Sequence, residues 1–201
     1  MPRRPDRAAP ALERLRASAA LCEQCDLYER ATQTVFGEGP PNARLVLLGE
    51  QPGDHEDREG RPFVGPAGHV LDRALDAAGI DRSQVYLTNA VKHFKWRASG
   101  KVRLHQRPNT TEIAACRTWW ESELDAIQPD VLCCLGAVAA QAVLGRAFRV
   151  TKSRGELFSL PSGIEAIATI HPSAVLRSDD RDAALAGLVQ DLEIVRERLV
   201  H

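Results

Sequence analysis

The stretch Arg44-Leu-Val-Leu-Leu-Gly-Glu-Gln-Pro-Gly-Asp54 decides the fold. Consecutive apolar residues that run into a Gly/Pro turn are typical of a strand buried on both faces, as in a parallel sheet. Three further segments resemble it: Gln84 to Asn89, Asp130 to Gly136, and Ile164 to Ile170. Helical patterns lie between them. The alternation predicts an α/β fold with a central four-stranded parallel sheet flanked by helices in three layers.

Apolar residues at helical spacing predict five helices. A capping box at Asn109 and Glu112 opens one of them, and Gly79 is a C-terminal cap for another. The predicted helices are Ala8 to Leu21, Val70 to Ala78, Asn109 to Ile127, Gly136 to Leu144, and Asp182 to Leu199. We expect the first ten residues to be disordered.

The length and composition suit one globular domain spanning residues 1–201. The chain has 201 residues and a mass of 22.0 kDa, with 44% apolar and 26% charged residues. No apolar run approaches the roughly 20 residues that span a bilayer, and no apolar signal core follows the basic N-terminus. We therefore expect a cytoplasmic monomer with no membrane partner. The net charge of −1 does not by itself favour a nucleic-acid partner.

Side chains that can carry chemistry follow three of the predicted strands. Glu50 follows the first strand, Asn89 ends the second, and His171-Pro-Ser173 follows the last. Carboxyl ends of parallel strands meet at one edge of the sheet, where α/β proteins bind ligands. The amide of Asn89 can both donate and accept, so it can read the edge of a base.

Each of these residues also has a structural interpretation. Glu50 could cap a turn, Asn89 could close an Asx turn, and His171 could be structural. Phe63, within Gly60-Arg-Pro-Phe-Val-Gly-Pro-Ala-Gly68, is either a core side chain or an aromatic platform for a ring. We favour a ligand site because these groups converge on one end of one sheet.

A basic segment runs from Lys92 to Arg107, and no acidic residue lies between Arg82 and Thr111. Its cations are Lys92, Lys95, Arg97, Lys101, Arg103 and Arg107, interleaved with His93, Phe94, Trp96 and His105. A charge run is usually a solvated face, but a long loop inside a compact domain tends to be functional. Clustered cations beside aromatic rings suit phosphate contact, so we predict a polyanion site with base-recognition groups.

Five cysteines are an odd number, and no export signal is present, which favours a metal site or free thiols over disulfides. Cys22 and Cys25 form a C-x-x-C pair that aims two thiolates at one point. Such a pair alone could also be redox-active or incidental.

The motifs in combination resemble the iron–sulfur branch of the uracil-DNA glycosylase superfamily, which contains the family-4 enzymes. The resemblance extends from Cys22 to the final helix. The motifs are Cys22-x-x-Cys25, Gly49-Glu-Gln-Pro-Gly53, Gly60 to Gly68, Thr88-Asn-Ala-Val-Lys92, Cys116 and His171-Pro-Ser173. Two features are similar to UdgX, the subgroup that binds uracil in DNA irreversibly: Gln51, where family-4 members typically carry alanine, and the basic Lys101-Val-Arg-Leu-His105. The subgroup pattern is Lys-Arg-Arg-Ile-His, so this chain lacks one arginine, at Val102.

The resemblance implies a [4Fe–4S] cluster held by four cysteines. Cys22, Cys25 and Cys116 are three of them. Cys133 and Cys134 are adjacent on one strand and point to opposite faces, so either could be the fourth. We favour Cys134. Four thiolates also suit structural Zn(II).

The resemblance also implies uracil-containing DNA as the partner, and we expect single strands to be preferred. Phe63 would stack on uracil, Asn89 would pair with its polar edge, and the backbone near Gln51 would support it. His171 would donate a hydrogen bond to uracil O2 as the base leaves. DNA contacts would come from Lys92, Lys101, Arg103, Arg107 and Ser173.

His105 would then attack the sugar C1′ and form a stable covalent adduct, while Glu50 orients His105, accepts its proton or stabilises the cation. One alternative is a turnover glycosylase that hydrolyses the N-glycosidic bond, with the basic segment serving only for DNA contact. Another is a zinc-stabilised nucleic-acid-binding module without catalysis.

Overall fold

The computed structural model describes residues 5–200, with side chains from Arg7 onward. A central sheet has the strand order β2-β1-β5-β7-β6, and a separate hairpin pairs β3 with β4. The strands are β1 Leu45–Gly49, β2 Val85–Asn89, β3 Trp96–Ser99, β4 Val102–His105, β5 Val131–Leu135, β6 Leu157–Ser159 and β7 Glu165–Thr169. The helices are α1 Pro5–Ala19, α2 Asp54–Glu59, α3 Pro66–Ala77, α4 Thr110–Ile127, α5 Ala137–Leu144, α6 Val150–Ser153, α7 Pro172–Arg177 and α8 Arg181–Val200.

The predicted parallel strands are confirmed as β1, β2, β5 and β7, but the sheet has five strands rather than four. The additional strand, β6, pairs antiparallel with β7 at the edge of the sheet. It is only three residues long and largely exposed, so it has no continuous apolar run. The pattern that predicts buried parallel strands could not find it.

Two hydrophobic layers cover the two faces of the sheet. Along β1, Leu45 and Leu47 face the layer formed with α3 and α8, whereas Val46 and Leu48 face the layer formed with α4. This alternation follows from the two-residue period of a strand. All five residues of β1 are buried, as the opening stretch predicts.

The segment predicted as a basic loop folds into the hairpin of β3 and β4. Trp96 lies opposite His105 in the antiparallel register, and Gly100 takes a left-handed backbone conformation at the turn (φ 59°). Alternation along β4 turns Val102 and Leu104 outward, where they are 59% and 37% exposed. The substitutions that distinguish this chain from the UdgX pattern therefore lie on the outer face of the hairpin.

At the N-terminus, α1 begins at Pro5, inside the ten-residue segment that the sequence predicts to be disordered. Residues 1–4 lie outside the described part of the chain. None of the helices in residues 5–200 combines the length and apolar character needed to cross a membrane.

Candidate active site

A cavity of about 790 Å³ opens at the carboxyl edge of the sheet. Glu50 after β1, Asn89 at the end of β2, Gly136 after β5 and His171 after β7 all line it. The predicted convergence of the strand ends is therefore present. The hairpin contributes His105 from the side.

Phe63 and Asn89 lie next to each other across Gly49. A Cβ atom at Gly49 would clash with the Asn89 Oδ1 atom and lie 2.6 Å from Phe63 Cζ, so only glycine fits there. Phe63 has a left-handed backbone conformation (φ 56°) and is 5% exposed, and it belongs both to the core and to the cavity wall. Among residues 5–200, none hydrogen-bonds the Asn89 amide, so it closes no Asx turn and is available to a ligand.

His171 presents one ring nitrogen to the cavity because the other is occupied. Its Nδ1 atom accepts the backbone N–H of Ser173 at 3.1 Å and so carries no proton in the neutral ring. The proton of the neutral ring is therefore on Nε2. Burial, assisted by the positive charge of Arg177, lowers the pKa of His171 to about 4. At neutral pH this residue is a neutral hydrogen-bond donor, and its ring stacks on Phe63 at 6.3 Å.

Gln51 fixes the position of His105. Its Oε1 atom accepts the backbone N–H of Lys95 at 3.1 Å, which orients the amide. Its Nε2 atom lies 2.8 Å from His105 Nε2, 2.9 Å from the carbonyl of Gln106 and 3.3 Å from that of Lys95. An amide nitrogen cannot accept, so it donates to His105 Nε2, and the neutral ring carries its proton on Nδ1.

Glu50 lies beside the same imidazole, with its Oε1 atom 3.8 Å from His105 Nε2. Burial raises the pKa of Glu50, although the guanidinium groups of Arg107 and Arg177 oppose this. Burial and the positive charge of Arg177 lower the pKa of His105. The imidazole of His105 and the carboxyl group of Glu50 therefore face one cavity that also holds a ring platform, an unpaired amide and a neutral donor.

Comparison with known proteins identifies the superfamily of this chain. A sequence profile of the uracil DNA glycosylase superfamily matches residues 36–193. The chain belongs to this superfamily.

Among the relatives of this glycosylase-superfamily chain is the type-4 uracil-DNA glycosylase of Thermotoga maritima, 38% identical over 78% of the chain and 79% of the relative. The type-4 enzyme of Sulfurisphaera tokodaii is 32% identical over 92% of the chain and 84% of the relative. The type-5 uracil-DNA glycosylase of Thermus thermophilus is 35% identical over 69% of the chain and 68% of the relative. The similarity to type-4 enzymes places the chain in the family-4-like branch of the superfamily.

The predicted DNA-contacting cations of this superfamily member have different environments. Lys101 is exposed at the hairpin turn, and Arg107 lines the cavity. Arg103 instead pairs with Asp54 and with Asp57 at 2.7 Å, and it lies between Phe94 and Trp96, each 5.4 Å away. Its charge is compensated, so it fastens the hairpin to the α2 region.

Lys92 is not at the surface, in contrast to the prediction. It is fully buried, and its ammonium contacts Glu123 at 2.6 Å and Thr88 at 2.5 Å. A buried and paired ammonium cannot contact a phosphate. Sequence reasoning also missed Arg177, which lines the cavity and donates to Ser173 Oγ at 3.0 Å. Arg177 comes four residues after Ser173 on α7, and this helical spacing is the sequence signal that places the two side chains on one face of the helix.

Three of the predicted cluster cysteines share one region. The thiol of Cys116 donates to Cys25, which lowers the pKa of Cys25 to about 6, and Cys116 Sγ accepts the backbone N–H of Lys92 at 3.4 Å. Cys22 Sγ accepts the indole N–H of Trp119 at 3.2 Å. Trp119 and Cys25 both pack against the small hydrophobic cluster that contains Cys116. Within residues 5–200, no three His, Cys, Asp or Glu side chains form a site for a single metal ion.

Cys134 does not join these thiols. It is fully buried in the middle of the sheet, opposite Leu48 of β1 and Ala168 of β7, in the layer formed with α4 and α5. Cys133 points to the opposite layer. Neither of the two cysteines considered for the fourth position therefore lies with Cys25 and Cys116.

His93 is a further candidate metal ligand, and it lies near the turn that carries Cys22 and Cys25. Its Nδ1 atom is buried without a hydrogen-bond partner among the described residues. Its Nε2 atom lies 2.9 Å from Thr34 Oγ1, which donates to the carbonyl of Ala19, and that carbonyl also accepts the backbone N–H of Cys22. The ring thus lies beside the turn that carries the C-x-x-C pair, and an unpaired buried nitrogen there fits a metal-bound group.

Proposed function

We propose that this chain excises uracil from DNA and captures the exposed sugar on His105. The observation that carries the proposal is the imidazole of His105, held at the cavity by Gln51 with its proton on Nδ1 and Glu50 3.8 Å away. The superfamily assignment and the type-4 relatives support the first half of the proposal. The hairpin and its histidine support the second.

Base recognition would use the platform and the free amide. Uracil would stack on Phe63, and Asn89 would pair with its polar edge, because no described residue occupies that amide. An extruded base must leave its stack, which costs least when the target is already single-stranded. We therefore propose single-stranded uracil-containing DNA as the preferred substrate.

In the first step, the bond between uracil N1 and the sugar C1′ breaks, and its electron pair leaves with the base. The Nε2–H of His171 would donate to uracil O2 and stabilise the developing anion, as in an oxyanion hole. A neutral donor suits this role because it holds its proton in the ground state. The carboxylate of Glu50 would stabilise the positive charge on the sugar.

In the second step, the lone pair of His105 Nε2 bonds to C1′. The hydrogen bond from Gln51 to this lone pair must first break. The Gln51 amide has two hydrogens for three nearby acceptors, which are His105 Nε2 and the carbonyls of Gln106 and Lys95. When His105 turns to the sugar, both hydrogens can remain paired with the carbonyls of Gln106 and Lys95. The imidazolium then loses its Nδ1 proton to solvent, since the His105 side chain is 51% exposed.

The [4Fe–4S] cluster would be held by Cys22, Cys25 and Cys116, and we propose His93 rather than Cys134 as the fourth ligand. The buried unpaired nitrogen of His93 supports this choice. Bound there, the cluster would supply a structural tie between the C-x-x-C turn, α4 and the end of β2. The chemistry at the cavity is carried by the residues described above.

A denaturing gel tests the proposal. Wild-type protein mixed with an end-labelled, uracil-containing single strand should give a slow-migrating, denaturant-resistant band. His105→Ala should lose that band and instead yield an abasic strand as water reaches the sugar. The matched control Val102→Ala, on the outer face of the same hairpin, should keep the band. An abasic strand from the wild type with no shifted band would support the turnover enzyme, and a shifted band from His105→Ala would exclude His105 as nucleophile.

A further inference from the structure

A second groove lies beside the cavity, between the first half of α4, α5 and the segment before α6. We call it the arginine groove and define it by Arg107, Ile113, Arg117, Trp120, Arg146 and Arg149. Its volume is about 730 Å³. Arg107 and Val138 line both this groove and the cavity, so the two adjoin.

The arginines of the groove are short of acidic partners. Among the described residues, Arg107 hydrogen-bonds only the amide oxygen of Gln141 at 3.3 Å, with the Glu50 carboxyl group of the cavity nearby, and Arg149 donates only to backbone carbonyls at 3.1 Å. Within residues 5–200 the Arg146 guanidinium has no hydrogen bond or ion pair. Only Arg117 pairs with a carboxylate, that of Glu121 at 2.6 Å.

Several arginines elsewhere in the fold have a carboxylate partner. Arg61, Arg103 and Arg154 each pair with a carboxylate. No acidic residue of the part of the chain with described side chains lines the arginine groove. Uncompensated guanidinium groups along one groove suit a chain of phosphates.

The floor of the groove suits a base. Ile113, Trp120 and Val138 supply apolar surface between the arginines. Trp120 is only 4% exposed, and its indole nitrogen is buried. No described residue accepts the indole N–H. An unpaired buried donor on an apolar floor is a feature expected where a ligand supplies the missing acceptor.

We propose that the arginine groove binds the single-stranded DNA that flanks the uracil, with a phosphate on Arg146 and Arg149 and the flanking base against the floor. This inference rests on the proposed function in one respect, namely that the adjoining cavity holds the uracil nucleotide of the same strand. Arg107 is the link, since it faces the last phosphate before the strand enters the cavity. A flanking base can lie against the apolar floor only when it is unpaired, so the groove favours a single strand.

The first test uses uracil-free oligothymidylate, because binding then does not depend on excision. Fluorescence anisotropy over a salt series should show that the paired substitution Arg146→Gln with Arg149→Gln lowers the slope of log affinity against log salt by about 1.4, for two lost contacts. The matched control is Arg14→Gln with Arg73→Gln, two exposed arginines on α1 and α3. It should leave the slope unchanged.

The second test compares uracil at the 5′ end, at the 3′ end and in the middle of a strand. The wild type should bind two of these three more tightly, because only one flank reaches the groove, and the Arg146/Arg149 variant should lose that advantage. An unchanged salt slope, or an equal loss in the control pair, would overturn the proposal. If excision is absent but the slope still falls, the groove stands and the proposed function fails.

Discussion

The side-chain amide of Gln51 donates to Nε2 of His105 over 2.8 Å, and the same amide is clamped by the backbone of Lys95 and Gln106. Gln51, in the loop after β1, therefore sets the position and the tautomer of the His105 ring on the hairpin, 54 residues further along the chain. The turn after β1 and the hairpin act as one unit at the cavity.

Replacing Gln51 with alanine should slow adduct formation. The loss of one hydrogen bond and of the clamp should reduce the capture rate by up to about tenfold, because His105 is less well positioned. DNA binding and the unfolding midpoint should change little. Single-turnover gels should also show a larger share of abasic strand relative to adduct, a shift that general destabilisation would not produce. An unchanged ratio of the two products would contradict the positioning role.

Replacing Glu50 with glutamine keeps the shape of the side chain and removes its charge. Without the carboxylate, the positive sugar loses its stabilising partner, and we expect adduct formation to slow by about 100-fold. Binding to uracil-containing DNA, measured by anisotropy in the His105→Ala background, should remain within about threefold. A capture rate equal to that of the wild type would remove Glu50 from the mechanism.

The capture rate should persist into mildly acidic solution. Capture needs an unprotonated His105, and the pKa of this ring is held below its ordinary value of about 6.5, so the rate should fall only at a pH lower than 6.5. His171, with a pKa of about 4, stays neutral throughout this range. Replacing Arg177 with glutamine removes a positive charge and should move the midpoint of the profile upward. Glu50, whose pKa is raised by burial, also titrates at the cavity, so the profile is measured in the Glu50→Gln background as well. A midpoint at or above 6.5 in that background would show that the pKa of the ring is not lowered.

The cluster ligands can be separated by substitution and iron analysis. Cys134→Ser should retain iron, sulfide and the visible absorption of the wild type, since this thiol lies in the sheet away from Cys25 and Cys116. His93→Ala should lose iron, and His93→Cys should retain it with an altered spectrum, because thiolate replaces imidazole. If His93→Ala retains a full cluster and Cys134→Ser loses it, Cys134 and not His93 is the fourth ligand. Zinc in place of iron in anaerobically purified protein would exclude the cluster.

The buried strands and the strand-end residues could be predicted from sequence because both depend on local patterns. An apolar run such as Leu45 to Leu48 reports burial directly, and a parallel sheet then brings Glu50, Asn89 and His171 to one edge. The roles of Asn89 and His171 in base recognition remain proposals, for which the free amide and the neutral ring are suitable groups.

The failures share a different cause. Lys92 belongs to a basic run, but its partner Glu123 is 31 residues away and also accepts from Tyr86, Thr88 and the backbone of Gly37. Composition cannot show that pairing. The sequence around Cys134 cannot show whether this thiol lies near the other cysteines, because the side of the sheet on which it lies depends on packing. The contact between Gln51 and His105 likewise joins residues that no local pattern relates.

Peptide mass mapping of the protein–DNA product tests the central claim most directly. After reaction with a short uracil-containing single strand, nuclease and protease digestion should leave one modified peptide. Its added mass should equal that of the sugar phosphate remnant without uracil, and fragmentation should locate it on His105. A modification on any other residue, or an unmodified His105 in protein that has released uracil, would contradict the account.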